Sequence, residues 1–279
     1  MIKLIASTSE FLEWRSSYSG YLGLVPTMGN LHQGHLNLVQ KSLEENDTTV
    51  VTIFVNPKQF GPNEDFEQYP RTLEEDLEKL STLTGQIMVF APKDPKEIYP
   101  EGYATEIALP EISKILCGHS RPTHFAGVTT VVYQLFALAA PDQAYFGQKD
   151  YQQVKIIERM TKDLRLKIGI KSVAIARDPD GLAMSSRNLY LNAEQRQKAL
   201  ELPRTINALA ESLHKNGLKA VQTRIQEIIK EPMWDYLEVL NGETLLPPQD
   251  DDKFLVLAGA IFMAKTRLLD NRTVELNVR

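Results

Sequence analysis

Residues 21–46 read YLGLVPTMGNLHQGHLNLVQKSLEEN, and the fold class follows from them. An apolar run of strand length, YLGLVP (21–26), enters a turn holding two glycines and two histidines. It leaves as a segment, 35–46, whose apolar residues recur at helical spacing. The same alternation of strand-length runs and helical patterns continues to about residue 175, the signature of βαβ units and a mainly parallel sheet. The other strand candidates are VVTIFV (50–55), QIMVFA (86–91), QAYFG (143–147) and LKIGIKSVAIA (166–176). Their continuous apolar character predicts burial on both faces. Helical patterns cover 73–83, 126–140 and 150–163, the first of them opening on Thr72 and Glu75 at the spacing of a capping box.

The character changes after Arg177. DPDG (178–181) is a strong turn signal, 193–215 and 218–231 read as amphipathic helices, and 234–240, 254–264 and 266–269 read as strands of a small sheet. The expectation is α/β: a Rossmann-like parallel-sheet domain over 1–176, binding nucleotide and substrate, followed by a smaller α+β lid domain over 177–279.

Composition limits the function classes. Of 279 residues 43% are hydrophobic and 24% charged, with 15 Gly and 15 Pro spread along the chain, which excludes a disordered chain and a disulfide-stapled miniprotein. Thirty-one basic against 36 acidic residues give a net charge of −5, so no global positive field gathers a polyanion, and nucleic acid is not expected as a partner. The single Cys117 has no partner for a disulfide and no second thiol at metal spacing, in keeping with a cytoplasmic location. The stretches VVTIFV and LVLAGAIFMA are too short to span a bilayer, and MIKLIASTSEFLEWRSS lacks the apolar run of a signal peptide, so neither membrane nor export is expected.

His32 and His35 lie three residues apart at the strand-to-helix turn and would share one face. In open parallel sheets, ligands bind at the carboxyl ends of strands, where helix N-termini offer free N–H groups and partial positive charge to phosphates. Gly29 and Gly34 allow close approach of a ligand to the backbone. A histidine pair alone fits a helix cap or solvated surface as well; its place at the end of the first strand favours phosphate contact. No Gly-Lys-Ser/Thr follows, so this is not a Walker A loop. Further on, MSSRN (184–188) offers two hydroxyls and a guanidinium in succession, suited to a mobile loop that closes over a triphosphate.

Together these elements resemble those of the pantoate–β-alanine ligase family, within the nucleotidyltransferase superfamily. The resemblance covers nearly the whole chain and is carried by VPTMGNLHQGH, FVNPKQFGPNEDFEQYPRTLEEDL, RPTHFAGVTTVV, YFGQKDYQQ, DGLAMSSRN and KTRLLDN, in that order. It implies a two-step reaction. Pantoate attacks the α-phosphorus of ATP to give pantoyl adenylate and pyrophosphate, and β-alanine then displaces AMP. It implies Mg²⁺, a homodimer joined through the N-terminal domains, and roles for individual residues. His32, His35, Lys149, Ser185, Ser186 and Arg187 would act on the phosphates. Met28, Asn56, Gln59 and Gln153 would meet pantoate. Met28, Gly147, Asp150 and Met184 would line the ATP site, Asp150 holding the ribose. Arg121 is a gating candidate and His124 borders the cavity, whereas His119 has no motif support. Asp76, after Glu75, lies where the family helps hold Mg²⁺, with most of the coordination expected from phosphates and water.

The chain departs from the family at Gln148, Asn30 and Gln33, which flank the functional positions without removing them. Two other readings compete: a nucleotidyltransferase that keeps the nucleotide in its product, and a nucleotide-binding regulator without catalysis. The first would not need the FVNPKQFG segment with its Gln59, and the second would not need the intact histidines, Lys149 and Ser185–Arg187.

Overall fold

The computed structural model describes residues 1–62 and 64–276. Nine strands are present among them: β1 (Ile2–Ile5), β2 (Leu22–Thr27), β3 (Thr48–Ile53), β4 (Ile87–Phe90), β5 (Gln143–Gly147), β6 (Gly169–Val173), β7 (Trp234–Asn241), β8 (Phe254–Met263) and β9 (Thr266–Glu275). The helices are α1 (Thr8–Ser17), α2 (Gln33–Glu45), α3 (Leu73–Ser81), α4 (Cys117–Ser120), α5 (His124–Ala139), α6 (Tyr151–Asp163), α7 (Ala193–Ala199) and α8 (Glu201–Ile228). The first six strands form one parallel sheet in the order β1-β4-β3-β2-β5-β6, and the last three an antiparallel sheet in chain order. The expected pairing of a Rossmann-like parallel sheet with a smaller α+β lobe is what the chain forms.

Alternation along the central strands explains the two faces. Leu22, Leu24, Val50, Met88, Phe90, Ala144 and Phe146 pack towards α1, α5 and α6. Val25, Val51, Ile87, Val89 and Tyr145 pack towards α2 and α3. Burying each such side chain contributes about 1.5–3 kcal/mol. A second core lies between α8 and the antiparallel sheet. A third joins the lobes, with Leu116, Phe125, Tyr151 and Ile156 of the first against Tyr236, Leu240, Val256 and Ala258 of the second.

Strand β2 is the pivot of the sheet. From it the chain builds outward through β3 and β4 on one side and through β5 and β6 on the other. Its pairing with β3 runs the full length from Leu22 to Thr27, but its pairing with β5 is confined to Gly23 and Leu24. Leu22 O accepts from Asp142 N next to β5, so even-numbered residues of β2 face that side. The residue that would next donate there is Pro26, which has no N–H. The strands therefore part at the carboxyl end, where the histidine turn begins.

Several expectations change. The segment 166–176 forms a strand only over Gly169–Val173, at the sheet edge and partly exposed, because Leu166 and Ile168 pack on the core from a non-strand backbone. Thr72 makes no capping bond to the backbone and Glu75 is exposed; Thr72 Oγ1 instead donates to Asp76 Oδ2 at 3.3 Å. Strand β9 runs six residues beyond the expected 266–269 and pairs with β8 throughout. The edge strand β1 and helix α1 were not foreseen.

Helix α5 presses on the turn that carries Gln59. A Cβ on Gly127 would sit 2.7 Å from Gln59 Cα and still closer to the Lys58 carbonyl. Alanine in a helix interior ordinarily stabilises by ~1 kcal/mol over glycine. Here the close approach reverses the sign, and Gly127→Ala is expected to destabilise by ~1–3 kcal/mol in urea unfolding, as overpacking does.

Candidate active site

The turn after β2 and the turn after β5 flank the parting of the two strands, which is the topological switch point of the sheet. Between them and the second lobe lies a cavity of about 1020 Å³. His32, His35, Lys149, Ser185, Ser186 and Arg187 all border it, as do Met28, Gln59, Gly147, Asp150, Gln153 and Met184.

His32 is the N-cap of α2, and the pair forms a reciprocal cap. His32 Nδ1 accepts from Gly34 N at 3.1 Å, and His35 Nδ1 accepts from His32 N at 3.3 Å. The rings lie 4.1 Å apart between centroids. Because each Nδ1 accepts, each neutral ring carries its proton on Nε2. Burial and the nearby Lys149 lower the His32 pKa to about 4, and burial with the neighbouring His32 holds His35 well below 6.5. The pair is thus both a helix cap and two neutral N–H donors beside a cavity.

The turn that presents them is held from beneath. Gly29 and Asn30 have φ of 83° and 49°, in the left-handed region. Their conformation turns the amides of Asn30 and Leu31 onto the Asp76 carboxylate, at 2.9 and 2.6 Å. A Cβ on Gly29 would lie 3.1 Å from the same carboxylate and 3.0 Å from Ile53. Asp76 is fully buried and does not border the cavity, so this carboxylate organises the histidine turn.

The amides of FVNPKQFG divide the same way. Asn56 borders the cavity but is 1% exposed. Its Nδ2 donates to Gln59 Oε1 and Gly127 O, while its Oδ1 accepts from Lys58 N and Tyr99 OH. That amide is committed to the scaffold, and it orients Gln59, whose Nε2 lies 3.0 Å from Met28 Sδ. Gln59 O accepts from His124 Nδ1 at 2.9 Å and from Arg121 at 3.3 Å. Burial and Arg121 lower the His124 pKa to about 3. Arg121 in turn grips Glu64 through Nε at 2.7 Å and Nη2 at 2.5 Å. His119 is exposed and away from the cavity.

The Ser185–Arg187 loop lies against the first lobe. Ser186 Oγ donates to Asn30 O at 3.2 Å, and Arg187 makes a bidentate pair with Asp65 at 2.8 and 3.1 Å over the Tyr69 ring. Opposite, Lys149 Nζ is 3.4 Å from Asp150 Oδ2. A Cβ on Gly147 would meet nothing within 4 Å, so space for a ligand opens directly on that backbone.

These walls offer neutral and charged hydrogen-bond donors to an anionic ligand. A family model described as pantoate-beta-alanine ligase matches residues 1–273. The chain is 46% identical to the pantothenate synthetase of Acetivibrio thermocellus, over 99% of both chains, and 44% identical to that of Moorella thermoacetica at the same coverage. Among solved structures, pantothenate synthetase from Thermus thermophilus superposes with a TM-score of 0.88 at 40% identity, covering 98% of this chain and 99% of that one. The pantoate-beta-alanine ligase of Francisella tularensis does so with 0.78 at 32% identity, covering 98% and 97%.

The chain belongs to the pantoate–β-alanine ligase family. Within that family frame, Mg²⁺ finds no protein cage here. Among the described residues no three His, Cys, Asp or Glu side chains gather as a metal site. Asp76 faces backbone amides, and the cavity carboxylates Glu64, Asp65, Asp150 and Asp270 are each paired with Arg121, Arg187, Lys149 and Arg177. Residues that sequence reasoning passed over are Asp65, Tyr69, Arg177, Asp270 and Asn271: the first two lie inside FVNPKQFGPNEDFEQYPRTLEEDL, the last two end KTRLLDN, and Arg177 lies outside the motifs. Cys117 also borders the cavity, its Sγ 3.4 Å from Tyr236 OH.

The depressed histidines couple fold stability to pH. Below 6.5 the unfolded chain takes up protons that folded His32, His35 and His124 refuse, so stability is full above 6.5 and falls as pH drops towards 4. His32→Asn keeps an N-cap acceptor without titrating. The urea midpoint of this ligase variant is expected to fall less steeply between pH 6.5 and 4 than that of the unaltered chain; parallel slopes would remove His32 from the effect.

Proposed function

We propose that the cavity carries out both half-reactions of the ligase in place, with charge stabilisation rather than a covalent enzyme intermediate. The enzyme is an ATP-dependent carbon–nitrogen ligase that joins pantoate and β-alanine to form pantothenate through pantoyl adenylate. A pantoate carboxylate oxygen forms a bond to the α-phosphorus as the bond to pyrophosphate breaks. The β-alanine nitrogen then bonds to the acyl carbon as AMP leaves, and the amine gives up its proton. The observation that carries the residue assignment is the His32–His35 pair: two neutral Nε2–H donors fixed by the backbone at the switch point.

In this reading His32 and His35 donate to the phosphates as negative charge shifts towards the leaving pyrophosphate, the preorganised kind of stabilisation that needs no movement during the step. Lys149 and Arg187 add charge from opposite walls, and Ser185 and Ser186 donate from the closing loop. The amides of Gln59 and Gln153 offer both donor and acceptor to the hydroxyl and carboxylate groups of pantoate. Asp150 receives the ribose, beside Gly147, Met28 and Met184. Asn56 acts through Gln59, and Arg121 through the same carbonyl and Glu64, which suits a gate. Mg²⁺ arrives on the triphosphate as part of the substrate, held by phosphate and water, and no protein ligand is assigned to it. The division at 176, with 177–279 as a lid, is supported by the separate cores of the two lobes.

With pantoate alone the enzyme is expected to exchange labelled pyrophosphate into ATP, and to form AMP and pantothenate once β-alanine is added. Lys149→Ala should lower the exchange rate by roughly 100-fold or more, in the range seen for loss of one transition-state charge partner, with an unchanged circular dichroism spectrum. Exchange without pantoate would defeat the reading, and full activity of Lys149→Ala would take that residue out of it.

Two finer points belong to the same proposal. The family resemblance supports a homodimer joined through the first lobe, and the lone Cys117 supports a reducing cytoplasm. Sedimentation at micromolar concentration is expected to give a dimer; a monomer throughout would reject it.

A further inference from the structure

The segment KTRLLDN (265–271) contributes no group to the chemistry above, yet it lies on β9 with both faces of the strand covered. Leu268 and Val274 pack into the core beneath α8, and Leu269 packs against the core that joins the lobes. Consecutive strand residues point to opposite faces. Asp270 and Asn271, 2% and 3% exposed, therefore reach in opposite directions from one point of the backbone.

Asp270 holds the approach to the Ser185–Arg187 loop. Its carboxylate takes both Nη atoms of Arg177, at 2.6 and 3.0 Å, and Arg177 Nη1 also donates to Gly181 O at 3.1 Å. Arg177 and Ala183 pair as a bridge across the DPDG turn, and Met184 N donates to Ala176 O at 2.9 Å, so the guanidinium fixes the hairpin that delivers Met184. Asn271 holds the other wall. Its Nδ2 donates to Gln148 O at 2.9 Å and to Lys149 O at 2.7 Å, crossing from the second lobe to the turn that carries Lys149 and Asp150. Gln148 Nε2 reaches back to Thr273 Oγ1 at 3.4 Å. Asn271 N donates to Asp270 Oδ1 at 2.8 Å, locking the two residues to one another.

Docking alone does not call for these groups. Leu269 already supplies apolar contact, and the buried Asn271 Oδ1 has no hydrogen-bond partner among the described residues, a cost that an apolar side chain would avoid. What an apolar side chain would not do is hold two carbonyls of the Lys149 turn at a set distance from the Arg177 hairpin.

We propose that Asp270 and Asn271 are positioning residues for nucleotide activation: through opposite faces of β9 they set the separation of the Lys149 turn and the Ser185–Arg187 loop. The proposal rests on the ligase reading of the site. Neither residue needs to touch substrate; each acts through the loop it holds.

The test separates positioning from general loosening of the lobe. Asn271→Ala is expected to raise the KM for ATP by roughly 10-fold and to lower kcat, with the KM for β-alanine held within about 2-fold. Asn271→Ser, which keeps one hydroxyl donor, should fall between Ala and the unaltered enzyme, and it decides by the same criteria if the Ala variant does not fold. Asp270→Asn should likewise raise the KM for ATP. In a Lys149→Ala background, adding Asn271→Ala should change the ATP Kd in calorimetry by less than it does in the unaltered enzyme, because one of the groups carried by the turn it holds is gone. Equal increases in KM for both substrates, additive effects on the ATP Kd, or ATP parameters unchanged in the Asn271 variants would overturn the proposal. Absence of pyrophosphate exchange in the unaltered enzyme would instead reject the ligase reading itself.

Discussion

Pro26 has no amide hydrogen, and the cavity depends on that fact. Strand β2 is buried at the centre of the sheet, where every backbone donor would ordinarily find a partner on a neighbouring strand. Its β3 side stays paired to the end, while its β5 side ends at Leu24. A residue able to donate at position 26 would favour one more rung and would draw the histidine turn towards the Lys149 turn. With proline there, the two turns stand apart and the space between them can take a ligand.

Separation alone would leave a loose turn beside the gap, and Asp76 prevents this. Two backbone amides turned by left-handed residues make a small anion site, which the protein fills with its own carboxylate. The amides are satisfied from below, leaving the histidine rings to face the cavity from above. Since each ring accepts a backbone N–H through Nδ1, the backbone also determines which nitrogen keeps the proton. Neutral donors strengthen with negative charge developing beside them without the grip of a fixed cation.

The sequence made the central sheet legible because strands buried on both faces leave continuous β-branched and aromatic runs, as in VVTIFV and QIMVFA. It failed at the edges for the same reason. Ile2–Ile5 carries Lys3 and a half-exposed face, and the apolar residues of 166–168 pack on the core without entering the sheet. At the site, residues offered to a ligand were recognisable by type and motif: His32, His35, Lys149 and Arg187 all reach the cavity. Residues committed to the scaffold are hard to separate from ligand-binding groups where their chemistry is the same. Asp76 and Asn56 have the right functional groups for a metal or a substrate, and only the structure shows the hydrogen bonds that engage them within the fold. Spacing along the chain carries no information about a partner 46 residues away.

A chain with net charge −5 can still line a cavity with cations. Much of that positive charge is balanced where it stands, because Arg121, Lys149 and Arg187 each face a carboxylate of the cavity wall and Arg177 holds Asp270 from behind it. Arg187 on Asp65, Arg121 on Glu64 and Arg177 on Asp270 stay ordered without a ligand, since a bidentate pair fixes the guanidinium plane at small entropic cost. These pairs are not equivalent. Arg177 and Asp270 belong to the frame, for Asp270 is enclosed and its Oδ1 is also tied to the backbone of β9. Arg187 and Asp65 join the Ser185–Arg187 loop to a loop of the first lobe, both partly open to solvent. The two guanidiniums are about equally exposed, so the difference lies in the carboxylates: Asp65 is open to water where Asp270 is enclosed, and screening at Asp65 makes its pair the easier one to exchange. A guanidinium on an enclosed carboxylate fixes where the loop begins, and one on a wetter carboxylate leaves its tip free to change partners.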